Sequence, residues 1–257
     1  MSKLLLVIFL CFNITFADKL AEIKKRGVLK AGVKYDYKPF GFIENGKVKG
    51  FDIDLLKYIA KHIGVKLKLV QVTSKTRIPM VKADIIDIAA ASMSHKHKRD
   101  IGIDFSIDYF YDGQSILVRN NAKEKSYKDF VGKNVGAIKG SVSGMNFFNK
   151  NPKAKIIYFI GYKDALIALE KGEIEAITTD YVWCKVKVVD NNNRYKVIGG
   201  KFTYEPYGMG VPENQSNFRD IVDDAIESSI KDGTYERLYF KWFNEKPEKL
   251  PLFYKQY

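Results

Sequence analysis

The 257-residue sequence holds only two cysteines, Cys11 and Cys184, and Cys11 sits in an N-terminal apolar run that reads as removable. A single remaining thiol excludes an intramolecular disulfide, so stability must come from a packed core. Histidine is as scarce. His62, His95 and His97 have no ligand spacing that could hold a metal, so no metal and no cofactor are expected. Glycine-rich phosphate loops are missing too, because the stretch KGSVSG at 139–144 has neither the Walker nor the dinucleotide spacing. The net charge is +13, yet the lysines are scattered and no arginine-rich block appears. That pattern suits a soluble surface with weak attraction to anions, and no nucleic-acid partner is expected. No apolar run approaches the about 20 residues needed to cross a bilayer.

The N-terminus has its own logic. Lys3, an apolar run over 4–12 and Thr15-Phe16-Ala17 before Asp18 have the shape of a secretory signal peptide spanning 1–17. The bulky Ile8-Phe9-Leu10 ahead of Cys11 speak against lipoprotein processing. The mature chain is therefore expected to be exported, soluble and periplasmic.

Periodicity organises the rest. A helix over 20–27 stops at Gly27, and a strand follows over 28–33. Asn45-Gly46 marks a hairpin. Apolar positions at Ile53, Leu55, Leu56, Ile59, Ala60 and Ile63 give an amphipathic helix closed by Gly64. A strand over 65–72, a short helix over 77–82 and a buried strand over 85–91 complete a first α/β unit. The pattern restarts near Ile116: helix 127–131, strand 134–138, helix 143–149, strand 156–160, helix 162–171 and strand 176–179. The tail is helical over 218–231 and 234–242. Strand–helix alternation of this kind predicts parallel sheets, and two such units predict two lobes around a cleft.

One stretch points to a ligand group. The apolar run 85–91 ends in Ser92 and Ser94, and Arg99 follows in what reads as the first turns of a short helix. Hydroxyls and backbone N–H groups beside an arginine fork suit a carboxylate.

The strings KPFGFIENGKVKGFDIDLLKYIAKHIG and TSKTRIPMVKADIIDIAAASMSHKHKRDIGIDFSIDYFYDG resemble the polar amino-acid solute-binding proteins of bacterial ABC importers. VGAIKGSVSG, EAITTDY, PYGMGV and DGTYERLYFKWF extend the resemblance over nearly the whole mature chain. It implies a bilobal periplasmic-binding-protein fold of type II, with lobe 1 over 18–110 plus 206–257 and lobe 2 over 111–205. The hinge crossings would be 109–113 and 203–207. It further implies a monomer that delivers a free L-amino acid to an inner-membrane ABC permease. In that scheme Arg99 grips the ligand α-carboxylate with help from Ser94, and Asp180 takes the α-ammonium. Tyr37 stacks over the ligand, Ser92 offers its carbonyl or hydroxyl to the ammonium, and the loop from Lys139 to Ser143 closes from the second lobe. A zwitterion taken out of water needs one fixed cation and one fixed anion, so this division is physically sound.

Each assignment has a plainer counterpart. Asp180 could cap the next helix, Tyr37 could be packing, and Lys139 could be solvated. Selectivity falls to Lys34, at the position where relatives binding cationic amino acids carry an acid, and to Arg77, where glutamate and aspartate binders place an arginine. Two cations beyond the zwitterion favour glutamate or aspartate, then neutral polar ligands such as glutamine or cysteine. Otherwise Lys34 points to solvent beside Asp36, and Arg77 pairs with Asp84 or Asp87. A cyclohexadienyl or arogenate dehydratase on the same fold is the enzyme alternative. AIKGSVSGMNFF departs from the dehydratase loop, and Tyr181 to Cys184 offer no acid after Asp180, so a non-enzyme is expected. Sensory or adhesin use of the same lobes stays open.

Overall fold

The computed structural model describes residues 18–247; the expected signal peptide over 1–17 lies outside them. Helix α1 (Lys19–Arg26) is capped by Asp18 and ends at left-handed Gly27. Then come β1 (Val28–Val33), β2 (Asp36–Tyr37), β3 (Gly41–Glu44), β4 (Lys47–Lys49), α2 (Phe51–Ile63), β5 (Lys66–Gln71), α3 (Arg77–Lys82), β6 (Ile88–Ala89), β7 (Asp104–Phe105), β8 (Phe110–Asp112) and β9 (Gln114–Arg119). A 3₁₀ turn, Tyr127–Phe130, leads to β10 (Asn134–Ile138), α4 (Ser143–Lys150), β11 (Lys155–Phe159), α5 (Tyr162–Lys171), β12 (Ala176–Asp180), α6 (Tyr181–Asp190) and β13 (Tyr195–Ile198). The chain closes with β14 (Glu205–Tyr207), β15 (Gly210–Val211), α7 (Ser216–Lys231) and α8 (Thr234–Phe243).

Two five-stranded sheets carry the molecule, ordered β5-β1-β6-β15-β7 and β11-β10-β12-β9-β13. In each, the strands joined through helices run parallel: β1 with β5 and β6, β10 with β11 and β12. This is the geometry that right-handed crossover helices impose. Strand β8 leaves the first sheet's part of the chain and pairs antiparallel with returning β14, Glu205 opposite Asp112 and Tyr207 opposite Phe110. That two-stranded ribbon joins the two α/β units into a bilobal molecule. It is anchored by aromatic packing: Phe40 meets Phe110 edge-on at 4.9 Å, and Phe110 lies 5.0 Å from Phe243 of α8.

Several local readings change. Of the strand expected over 85–91, only Ile88–Ala89 joins a ladder, and Ile85 is exposed. Ser92 takes a left-handed φ of 49°, so the chain turns before Arg99. The segment from Lys96 to Asp100 is a pair of i→i+3 turns rather than a helix: Arg99 N–H donates to Lys96 O, and Asp100 N–H to His97 O. Strand β9, the extension of the ribbon into the second sheet, runs antiparallel to β12 and β13. No described helix is long and apolar enough to cross a membrane.

Candidate ligand-binding site

A small, nearly closed polar cavity lies between the sheets, lined by Lys34, Ser74, Arg77, Ser92, Ser94, Arg99, Ser141, Val142, Ser143, Tyr162 and Asp180. Its walls come from segments that leave the carboxyl ends of β1, β5, β6, β10 and β12. This is where open α/β sheets place ligands, because the strand ends leave backbone groups and short loops facing one crevice.

Three cations share the cavity. Arg77 is 2 % exposed, and its Nη1 donates to the carbonyls of Ala91 at 2.5 Å and Ser92 at 3.1 Å. Its Nε has no partner, and burial lowers its pKa. The proposed acid partners are engaged elsewhere: Asp84 with Lys19 at 2.5 Å and Asp87 with Arg26 at 2.5 Å. Arg77 thus props the turn at Ser92 through carbonyls and pairs with neither.

Lys34 is buried, not solvated beside Asp36. Its Nζ stands 3.8 Å from the centre of the Tyr37 ring and 5.7 Å from that of Tyr162. Burial, reinforced by the charge of Arg77, pushes its pKa down to about 7. At neutral pH it divides between amine and ammonium. Arg99 bridges the two units, with Nη1 on Ser94 O at 2.8 Å and Nη2 on Gly140 O at 3.2 Å. Burial and Arg77 lower its pKa as well, though a guanidinium remains charged at physiological pH.

One carboxylate faces this group. Asp180 ends β12 at the N-cap position of α6, yet makes no cap bond. It accepts the hydroxyl of Tyr37, while the buried hydroxyl of Tyr207 has no hydrogen-bond partner. The plainer capping role is therefore filled by another residue: Val182 N–H donates to Asp112 Oδ2 at 3.0 Å. Burial and the nearby charge of Asp180 push the Asp112 pKa up. Opposite Asp180, the start of α4 presents Ser141, Val142 and Ser143 to the cavity. Gln114 fixes this helix start by donating to Ser143 O at 2.7 Å and Thr178 Oγ1 at 2.6 Å.

The structure brings Lys34, Arg77, Ser92, Ser94, Arg99, Ser143 and Asp180 around one cavity. Two expected residues lie off its wall. Tyr37 is fully buried between Lys34, Tyr162 at 5.0 Å and Trp183 at 6.4 Å, so it holds Asp180 and supports Lys34 rather than lining the space. Lys139 is exposed, and only its backbone is engaged, donating to Phe159 O at 2.8 Å. Ser74 and Tyr162 were not anticipated, whereas Ser141 and Val142 belong to the 139–143 loop expected there. Tyr162 had a signal: it is the first residue of a helix that follows a strand, the place where Asp180 leads into α6. Among the described residues no group of three or more His, Cys, Asp or Glu could hold a metal. Cys184 is buried with its thiol pKa pushed up, which makes it a packing residue.

Two α/β units joined by an antiparallel ribbon around a charged cavity form a bilobal ligand-binding protein. Residues 29–245 match the family model of bacterial extracellular solute-binding proteins, family 3, and the chain belongs to that family. It is 39 % identical over 236 residues to the ABC transporter glutamine-binding protein GlnH of Bacillus subtilis, covering 90 % of this chain and 86 % of the relative. It is 42 % identical over 209 residues to the glutamine-binding protein of Geobacillus stearothermophilus, covering 78 % and 79 %. Among solved structures, an ancestral arginine-binding protein with glutamine bound superposes with a TM-score of 0.82 at 38 % identity over 86 % of this chain and 99 % of that one. An ancestral arginine-binding protein with arginine bound gives 0.81 at 38 % over 85 % of this chain and 99 % of that one. These relatives are named as binding proteins, and the chain is a solute-binding component of transport, not an enzyme.

Proposed function

We propose that this protein captures a free L-amino acid outside the cytoplasm and delivers it, as a monomer, to an ABC permease. The observation that carries this reading is one buried cavity walled by both Arg99 and Asp180, a fixed cation and a fixed anion for the two ends of a zwitterion. In this reading Arg99 and Ser94 take the α-carboxylate, and Ser92 and Asp180 take the α-ammonium. Ser143 and its loop close the space from lobe 2 (111–205), against lobe 1 (18–110 and 206–257).

For the side chain, glutamine is the reading we favour. Arg77 is occupied by two carbonyls, and Lys34 is half-neutral near pH 7, so neither demands a carboxylate. A neutral amine over an aromatic ring can both donate to and accept from a side-chain amide. The two named glutamine-binding relatives support the same choice. Glutamate or aspartate is the second reading, supported by three cations on the cavity wall against one carboxylate.

Calorimetric titration of unfolded and refolded mature protein with each of the twenty amino acids tests both levels. Tightest binding of glutamine is expected. Tighter binding of glutamate moves the assignment to the second reading, whereas tightest binding of arginine or lysine overturns both. Failure of every amino acid to bind overturns the class of ligand.

A further inference from the structure

The residue that opens α6 does not cap it. An aspartate between a strand and a helix usually turns its carboxylate onto the second or third helical N–H. Asp180 has the backbone for this, with φ −64° and ψ 142°, and makes no such bond. Yet the helix start is not left open. Val182 N–H donates to Asp112 Oδ2 at 3.0 Å, across 70 residues of sequence, and Tyr181 N–H donates to Gly113 O at 2.8 Å. Both acceptors sit where ribbon strand β8 passes into the second unit. Asp112 is 2 % exposed. Its other oxygen has no hydrogen-bond partner, and Lys201 Nζ lies 3.4 Å from it. Gly113 belongs there because a Cβ would come within 2.5 Å of Thr203 O on the returning crossing.

We propose that Asp112 is the positioning residue of the ammonium site: by capping α6 from the hinge ribbon, it leaves the Asp180 carboxylate free to face the cavity. The proposal rests on the ammonium-binding role of Asp180 given above. Helix capping and ammonium binding compete for one carboxylate. An N–H left without a partner away from water is unfavourable, and if Asp112 is removed, the acceptor that the N-cap position offers to Val182 N–H is Asp180 itself. Capping its own helix, Asp180 would leave Tyr37 and the cavity. The opposite ribbon strand works in parallel, since Glu205, the register partner of Asp112, accepts from Asn146 of α4 at 2.9 Å. Two of the helices that reach the cavity from the second unit, α4 and α6, are thus held by carboxylates of the ribbon, so ribbon geometry and site geometry are linked.

The test is a cycle of Asp112→Ala, Asp180→Asn and the double variant in the mature chain. It is read by calorimetry with glutamine and with glutaramate, which keeps the carboxylate and amide but has no α-ammonium. Asp112→Ala should weaken glutamine binding about tenfold and leave glutaramate within about twofold, and the double variant should be no worse than Asp180→Asn alone. Asp112→Asn keeps an acceptor oxygen and should stay within about threefold of wild type. Equal losses for both ligands, multiplying losses in the double variant, or an Asn variant as weak as the Ala variant would each overturn the proposal. If Asp112→Ala does not fold, Asp112→Ser, small and polar but too short to reach Val182, carries the same expectations. A different failure belongs to the underlying reading: if Asp180→Asn leaves glutamine affinity unchanged, the ammonium assignment falls, whatever Asp112 does.

Discussion

The hydroxyl of Tyr37, on β2 of the first unit, donates to the carboxylate of Asp180, at the end of β12 in the second. The bond is buried, and it ties the two halves together at the side of the cavity where the ammonium group would sit. Tyr37→Phe removes the donor and leaves the packing against Tyr162 and Trp183 intact. Hydrogen bonds to charged groups contribute about 1.5–3 kcal/mol. Amino-acid affinity should therefore fall about tenfold with little change in thermal stability of the unliganded protein, measured by calorimetric titration alongside thermal melting. Unchanged affinity would show that the contact does not contribute to the bound geometry.

Arg99 is the one cation on the cavity wall whose guanidinium spans both units, through Ser94 O and Gly140 O. Arg99→Ala should cost every amino acid in the panel at least about a hundredfold in affinity, the scale for an unpaired buried carboxylate. Arg99→Lys should rescue little, because an ammonium cannot form the planar fork. Lys34→Ala should instead reorder the panel. A uniform loss in both variants would contradict a common carboxylate site with a separate side-chain site.

Much of this arrangement is legible in the residues alone, and the limits have physical causes. Gly27, Gly64 and Gly172 end helices in left-handed geometry, and glycine there is a local signal. Asp180 and Arg99 are legible because strand ends in an α/β unit face a crevice. The turn at Ser92 is not, since its left-handed backbone is held by Arg77 from another element. The helix expected around Arg99 fails for a similar reason. Lys96 is drawn away to Glu205 at 3.3 Å and to the carbonyl of Tyr204, contacts more than a hundred residues distant. Lys34 shows its charge in the sequence but not its burial, and burial decides its protonation.

That protonation gives a pH signature. The usual lysine pKa of 10.5 is lowered to about 7 in the folded state, so the folded protein binds fewer protons than the unfolded chain between these values. Stability contributed by this group is least below pH 7 and rises as pH climbs from about 7 toward 10.5, by on the order of 5 kcal/mol at most. Asp52 and Asp223, both raised to about 6 by burial, act in the opposite direction, and their effect is complete below this window. Lys34→Met should raise the melting temperature at pH 6–7 and lose that advantage as pH approaches 10. The same titration should alter selectivity. The ratio of glutamate to glutamine dissociation constants should rise through pH 7 in the wild type and stay flat in Lys34→Met. A parallel pH profile in wild type and variant would assign the dependence to another group.

Gly140 has φ +85°, and a Cβ built on it would lie 2.6 Å from both Lys75 Cα and Ser74 O. These are backbone atoms of the opposite unit, so no side-chain rotation relieves the clash. Gly140→Ala must either push the units apart or strain the left-handed turn, which alone costs about 1 kcal/mol for a non-glycine residue. Parting the units also separates Gly140 O from Arg99. Without amino acid the units are expected to be free to part, so the turn penalty should dominate and melting should fall by a few degrees at most. With amino acid present the clash adds to it, so affinity should drop at least about thirtyfold. Small-angle scattering should show a ligand-saturated variant more extended than saturated wild type. Identical scattering, with affinity reduced only by the turn penalty, would mean that the contact between Gly140 and Ser74–Lys75 is not required for ligand binding.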